Sequence, residues 1–261
     1  MGALLPEVSV VIPAMDEEAS IAAVIREVRA SLAGREIEVL VVDTDSTDRT
    51  RDIATEEGAR VLSESRRGYG RAYKTGFEAA RGTYVVGLDA DFSYPANRLP
   101  DFLAALETGR ADFVSGERIS RLAEDAMTGM HRVGNEILNA AVRLLFRGRI
   151  RDSQSGMWAF RREVLPRLRL VHDGMAFSEE LKIEAIRAGY RFLEIPIDYR
   201  PRVGREKIRS VTDAARNFTW LVRKRVGWVP GGSRITPRAS PRVSATPGRN
   251  VSRRIRRRRS G

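Results

Sequence analysis

The sequence predicts an α/β domain, a mostly parallel central sheet with helices on both faces. Two observations carry this expectation. Short β-branched apolar runs alternate with amphipathic stretches of helical period along the first half of the chain. The runs are near-continuously apolar rather than alternating, which is the pattern of strands buried on both faces.

The first strand is expected over Val8 to Ile12, followed by a helix from about Glu17 to Leu32. A second strand, Val39 to Val42, leads to a helix beginning near Thr47. Arg60 to Leu62 predicts a strand, Gly70 to Ala80 a helix, Tyr84 to Leu88 a strand, Ala96 to Leu106 a helix, and Asp112 to Ser115 a strand. The second half is less regular. Helices are predicted near Asn135 to Phe146 and Glu179 to Ala188, a strand near Phe192 to Pro196, and a last helix near Ser210 to Lys224. There is no internal repeat. Beyond Trp228 the composition turns to Pro, Gly, Ser, Thr and Arg, with too little apolar surface to offset the entropy of ordering. Residues 1–229 are therefore expected to form the folded domain, and 230–261 a disordered Arg-rich tail.

Composition narrows the function classes. Lys and Arg total 46 against 34 Asp and Glu, a formal charge of +12, but ten arginines fall in residues 230–261, which hold no Lys, Asp or Glu. The remainder carries only +2. A near-neutral body with a basic tail argues against a nucleic-acid-binding domain, which would spread positive charge over a folded surface. With no cysteine, disulfides and thiolate metal sites are excluded. No apolar run approaches the roughly 18 residues of a spanning helix. The first residues, MGALLPEVSVV, lack the charged and apolar regions of a secretory signal, so a cytoplasmic location is expected.

In an open parallel sheet ligands bind outside the carboxyl ends of the strands, so acidic residues that directly follow strands mark the candidate site. The first strand runs into Pro13, Ala14, Met15, Asp16 and Glu17, and the second into Asp43, Thr44, Asp45, Ser46, Thr47 and Asp48. Carboxylates there can accept hydrogen bonds from a base and ribose, while helix amino termini offer N–H groups. Ser46, Thr47 and Asp48 are expected to cap the following helix, and Asp43 to bind ligand. The sharpest feature is Asp89-Ala90-Asp91, directly after the strand ending at Leu88. Carboxylates at i and i+2 leaving a strand share a side, which suits a hard divalent cation, Mg or Mn. Arg66 to Lys74 adds glycines for close backbone approach and basic groups for phosphate, but it is neither a dinucleotide fingerprint nor a P-loop.

Taken in order, these segments resemble the family 2 glycosyltransferases of GT-A fold, and within them the dolichol-phosphate (polyprenyl-phosphate) mannosyl- and glucosyltransferases. Val10 to Glu17 is similar to the opening strand and Pro-x-x-Asn-Glu motif, with Asp16 for Asn. Val42 to Asp48 is similar to Asp-Asp-Gly-Ser-Thr-Asp, with Thr44 for the second Asp and Asp45 for Gly. Gly68, Gly70 and Ala72 match Gly-x-Gly-x-Ala, and Asp89-Ala90-Asp91 the metal and diphosphate motif, with Ser93 where some members carry Gln. Asp152 to Met157 is similar to the segment ending Ser-Gly-Phe, and Arg200 to Lys207 to Arg-x-x-Gly-Glu-Ser-Lys.

The resemblance implies an inverting transfer of mannose or glucose from a nucleoside diphosphate sugar, GDP-mannose or UDP-glucose, to a polyprenyl phosphate, with Mg or Mn at Asp89 and Asp91. It places the nucleotide sugar against Pro13, Ala14, Asp16, Glu17, Asp43, Asp45, Gly70, Ala72 and Asp89 to Asp91. It also gives Arg118 and Arg132 catalytic roles and puts the acceptor phosphate against Arg118, Arg132, Asn135, Arg200, Arg202 and Lys207. A lipid acceptor implies peripheral contact with the cytoplasmic face of a membrane. Val211, Ala215, Phe218, Leu221, Val222 and Val226 recur at helical spacing beside Trp220, Trp228 and three basic residues, which suits an interfacial helix and equally a helix packed on the sheet. Ile137, Leu138, Ala141, Leu144 and Leu145 raise the same two options. The tail would add attraction to anionic lipid, about 1 kcal/mol per basic residue near the surface. Alternatives are a saccharide or small-molecule acceptor, a sugar-phosphate nucleotidyltransferase, and a basic nucleic-acid-binding protein.

Overall fold

The computed structural model describes residues 5–121, 129–146, 150–204 and 210–227. The strands are β1 (Val8–Ala14), β2 (Ile37–Asp43), β3 (Arg60–Ser63), β4 (Tyr84–Gly87), β5 (Phe113–Glu117), β6 (Trp158–Arg161) and β7 (Phe192–Pro196). They form one sheet in the order β3-β2-β1-β4-β6-β5-β7. All pairings are parallel except those of β6, which runs antiparallel to both neighbours. The helices are α1 (Ile21–Ser31), α2 (Thr50–Glu56), α3 (Tyr69–Ala79), α4 (Leu99–Glu107), α5 (Gly129–Phe146), α6 (Phe177–Arg187) and α7 (Ser210–Arg225).

The period-2 geometry of a strand explains the continuous apolar runs, because each run feeds two cores. Val8, Val10, Ile12, Val39, Val41 and Val86 pack on one face with α1 and α4. Val11, Leu40, Val42 and Val85 face the other way, onto Tyr73 and Phe77 of α3 and Phe177 and Leu181 of α6. A smaller cluster of Leu138, Val142, Ile183 and Leu221 joins α5, α6 and α7. The apolar faces of α5 and α7 thus divide. Leu138 and Leu221 are buried, while Ile137, Leu144, Phe218 and Val222 are exposed, as is Val226 just beyond α7.

Three expectations are corrected. The predicted order has no strand between Asp112–Ser115 and Phe192–Pro196, yet β6 lies there. Its four residues, Trp158-Ala-Phe-Arg, follow a Ser- and Gly-containing stretch and show no polar alternation, because β6 is wedged between β4 and β5. Gly87 makes room for it, since a Cβ there would lie 2.4 Å from the Trp158 ring. Helix α1 starts at Ile21 rather than Glu17, because Glu17 to Ser20 form a turn in which the Glu17 carbonyl accepts from the Ser20 and Ile21 N–H groups. Helix α2 starts at Thr50 rather than Thr47. Asp48 accepts from the Thr50 N–H at 2.9 Å but stands one residue before the N-cap, Arg49, while the Ser46 hydroxyl accepts from the Asp16 N–H, and the Thr47 N–H and hydroxyl donate to the Asp16 carboxylate. Ser46 and Thr47 therefore tie two loops together instead of capping.

No helix among the described residues is long and apolar enough to cross a membrane. The predicted Arg-rich tail, Trp228 and Lys207 lie outside the described residues, as do the side chains of Arg132, Asn135, Val211 and Ala215.

Candidate active site

The predicted acidic strand ends gather at the carboxyl edge of β1, β2 and β4, where the chain order diverges on either side of β1. After β4, Asp89 Oδ1 accepts a 2.8 Å hydrogen bond from the Tyr69 hydroxyl, with the Tyr73 hydroxyl at 3.4 Å. Burial, together with the neighbouring Asp91 carboxylate, pushes Asp89 up to about 7, against the opposing effect of Tyr69. Asp91 is itself buried. Its Oδ1 accepts from the Ser93 N–H at 3.0 Å and from the Ser93 hydroxyl, and its Oδ2 lies 3.3 Å from Arg202 Nη1. The other terminal nitrogen of Arg202 donates to Glu17 Oε1 at 2.5 Å.

Arg202 reaches this point because the chain leaving β7 is stitched across the sheet edge. The Ile197 N–H donates to the Glu117 carbonyl, Arg200 N–H to the Ser93 carbonyl, and Val203 N–H to the Asp91 carbonyl. A second wall is the loop before β6. Its Asp152 carboxylate receives Nε and Nη2 of Arg118 at 2.7 and 2.8 Å, and both residues are buried. Burial alone would raise the Asp152 carboxyl, but the Arg118 guanidinium holds it below the usual carboxylate range. Lys182 of α6, fully buried, donates to the carbonyls of Asp152, Ser153 and Ser155 at 2.8, 3.0 and 2.9 Å. Asn139 Oδ1 accepts from the Ser153 N–H and hydroxyl. The loop is thereby pressed onto the site: a Cβ on Gly156 would lie 2.5 Å from the Tyr69 hydroxyl and 2.9 Å from Asp89 Oδ2.

The donor set fits a hard divalent cation. Asp89 and Asp91 supply carboxylate oxygens whose mutual repulsion a cation would relieve, and the described residues hold no cluster of three His, Cys, Asp or Glu that would close a shell. Mg or Mn with its remaining positions taken by water and phosphate oxygens matches such an open pair.

The other predicted residues fall into distinct places. Asp43 is buried at the end of β2, with Oδ2 accepting from the Ser46 N–H at 3.3 Å and Oδ1 lacking a hydrogen-bond partner among the described residues. Asp45 is exposed with a φ of 56°, and Asp16, exposed with a φ of 50°, holds Thr47. Pro13 and Ala14 end β1, where the Ala14 carbonyl accepts from Thr44 at 3.0 Å, and Ala90 is buried in the first core. Gly70 and Ala72 are small for packing reasons: a Cβ on Gly70 would meet the His172 carbonyl at 2.5 Å, and Ala72 sits in the second core. Arg200 is not gathered with Arg118 and Arg202. Its fork binds Glu27 of α1 at 2.8 and 2.9 Å.

Tyr69 and Gly156 lie inside segments read from the sequence, Arg66 to Lys74 and Asp152 to Met157, without a role of their own, whereas Lys182 and Asn139 carry no motif. Phe177 to Ile183 carries Glu179 and Glu180 beside Lys182 and reads as an ordinary charged helix, so its burial, and with it the internal task of Lys182, emerges only from the tertiary structure.

Comparison with known proteins gives consistent results. Residues 9–169 match the model of the family described as Glycosyl transferase family 2. The low-salt glycan biosynthesis hexosyltransferase Agl6 of Haloferax volcanii is 35% identical over 87% of this chain, which spans only 55% of that protein's length. The dolichyl-phosphate hexose transferase of the same organism is 36% identical over 77% of this chain and 86% of its own length. Among solved structures, glucosyl-3-phosphoglycerate synthase from Mycobacterium tuberculosis, in complex with Mn2+, uridine diphosphate and phosphoglyceric acid, superposes with a TM-score of 0.69 at 25% identity. The match covers 85% of this chain and 79% of that one. The fold is thus GT-A, and with the family model matched over more than half its length, the chain belongs to the family 2 glycosyltransferases.

Proposed function

We propose that this chain transfers a hexose, mannose or glucose, from a nucleoside diphosphate sugar to a polyprenyl phosphate with inversion, using Mg or Mn at Asp89 and Asp91. The observation that carries the proposal is the meeting of Asp89, Asp91, Glu17 and Arg202 at the carboxyl edge of β4 and β1. The relatives named as hexosyltransferases and the solved neighbour holding Mn2+ and uridine diphosphate support it.

A cation bound there would supply Lewis-acid neutralisation of the departing diphosphate. The chain's own groups do the rest. Tyr69 orients Asp89, and Ser93 fixes Asp91 Oδ1 so that Oδ2 faces the site. Asp43 Oδ1, buried and unpaired among the described residues, is an acceptor for a nucleobase N–H. The acceptor phosphate is already anionic at neutral pH, its second pKa being about 6, so its oxygen attacks the sugar without a strong base. The glycosyl–oxygen bond to the diphosphate breaks as the bond to the acceptor phosphate forms on the opposite face. Arg118 and Arg132, with Asn135 and Lys207, are assigned to the acceptor phosphate. Asp152 occupies Nε and Nη2 of Arg118 and so leaves Nη1 for that contact.

The lipid acceptor is favoured over a small-molecule phosphate because the dolichyl-phosphate relative is 36% identical, against 25% for the phosphoglyceric acid complex. The exposed Phe218 and Val222 of α7 and Val226 just after it, beside exposed Arg223 and Arg225, support peripheral contact with a membrane, which we assign to the cytoplasmic face. The test is hexose transfer to polyprenyl phosphate in wild type and Asp91→Ala. Wild-type rates in the variant would remove the cation from Asp91.

A further inference from the structure

Asp91 already has a cation. The Arg202 guanidinium spans two buried carboxylates, with one terminal nitrogen 3.3 Å from Asp91 Oδ2 and the other donating to Glu17 Oε1 at 2.5 Å. Asp91 Oδ1 is taken by Ser93, so Oδ2 is the oxygen that both Arg202 and an incoming cation must use. Arg202 Nε is buried without a hydrogen-bond partner among the described residues, an unusual state for a guanidinium donor. The backbone that carries it is held, since the Arg200 and Val203 N–H groups are bonded to the Ser93 and Asp91 carbonyls. The side chain can therefore swing without moving its anchor.

We propose that Arg202 is an internal counter-cation, a latch that neutralises Asp91 and Glu17 in the ligand-free protein. It leaves Asp91 when a divalent cation arrives. Its freed nitrogens, the unpaired Nε included, then become donors for the phosphate oxygens that accompany the cation, where a planar fork is well matched. Cation loading and anion capture are thus two halves of one exchange, and the site is protected against binding a bare cation tightly. The proposal rests on the assignment of the cation to Asp89 and Asp91.

The experiment measures Mn2+ affinity by electron paramagnetic resonance on the full chain, without donor or acceptor, in wild type, Arg202→Met, Arg202→Lys and Arg200→Met. Thermal melting confirms that each is folded. Arg202→Met removes the competitor and should bind Mn2+ roughly tenfold tighter or more. Arg202→Lys keeps the charge but not the two-carboxylate fork, and should fall between. Arg200→Met removes the same charge from the same segment, but from Glu27, and should leave the affinity unchanged. Equal tightening in Arg200→Met and Arg202→Met would reduce the effect to overall charge and overturn the latch. So would unchanged or weaker binding in both Arg202 variants. Absence of Mn2+ binding in all four proteins would overturn the cation assignment itself, and the latch with it.

Discussion

Gly156→Ala is the most informative single methyl group in this protein. Its Cβ would stand 2.5 Å from the Tyr69 hydroxyl and 2.9 and 3.1 Å from the two Asp89 oxygens, roughly 0.5–1 Å inside ordinary contact. The loop cannot retreat easily. The Gly156 N–H is bonded to the Tyr94 hydroxyl at 2.6 Å, and Lys182 holds three carbonyls just before it. The strain must therefore fall on Tyr69 and Asp89. Overpacking of this kind costs about 1–3 kcal/mol of stability. A displacement of about 1 Å at a reacting centre costs up to about 10²-fold in rate. The assay pairs urea unfolding with Mn2+ titration and hexose transfer. The expected result is a protein that stays folded with weakened Mn2+ binding and a rate lowered by one to two orders of magnitude. Wild-type Mn2+ affinity and rate in a folded variant would refute the claim that the loop before β6 sets the position of Asp89.

Asp152→Ala leaves Arg118 buried and uncompensated and should cost about 3–5 kcal/mol in urea unfolding, whereas an exposed pair such as Arg49 with Glu56 should cost less than about 1. Burial pushes the Glu179 carboxyl from 4.5 up to about 8, so the folded state binds the extra proton and its contribution is fully present below about pH 4.5 and lost as the pH rises through 8. Stability should accordingly fall from pH 5 to 8, and Glu179→Gln should flatten that slope; a slope unchanged in the variant would assign it elsewhere. Replacing Phe218, Val222 and Val226 with Ser should weaken flotation with anionic vesicles while leaving the melting temperature within a few degrees, because all three are exposed. Flotation equal to wild type would take α7 off the membrane.

The centre of the sheet was legible in the sequence because β1, β2 and β4 feed two cores and so read as largely apolar runs. Strand β6 was not, since four residues between a Ser-rich loop and a 3-10 turn carry no period of their own, and only the gap between β4 and β5 selects them. In the site, Asp89, Asp91 and Asp43 were legible as acidic residues at strand ends, a consequence of where parallel sheets bind ligands. The partners that tune them were not. Tyr69 meets Asp89 across 20 positions, Arg202 meets Glu17 across 185, and Arg118 meets Asp152 across 34. Such pairings are made by tertiary approach, which one-dimensional spacing does not encode. For the same reason Arg200 looked equivalent to Arg202, although the irregular chain after β7, in which Pro201 separates them and a bend follows at Val203 and Gly204, sends one fork to Glu27 and the other to the site.

The most direct test is calorimetric titration of GDP-mannose and UDP-glucose into the full chain, each with and without Mn2+, in wild type and Asp91→Ala. Binding of one donor that requires Mn2+ and disappears in Asp91→Ala is the predicted result, and it fixes the nucleotide. Binding of a donor that is equally tight without Mn2+ and in Asp91→Ala would contradict the assignment of a cation-dependent donor site to Asp89 and Asp91.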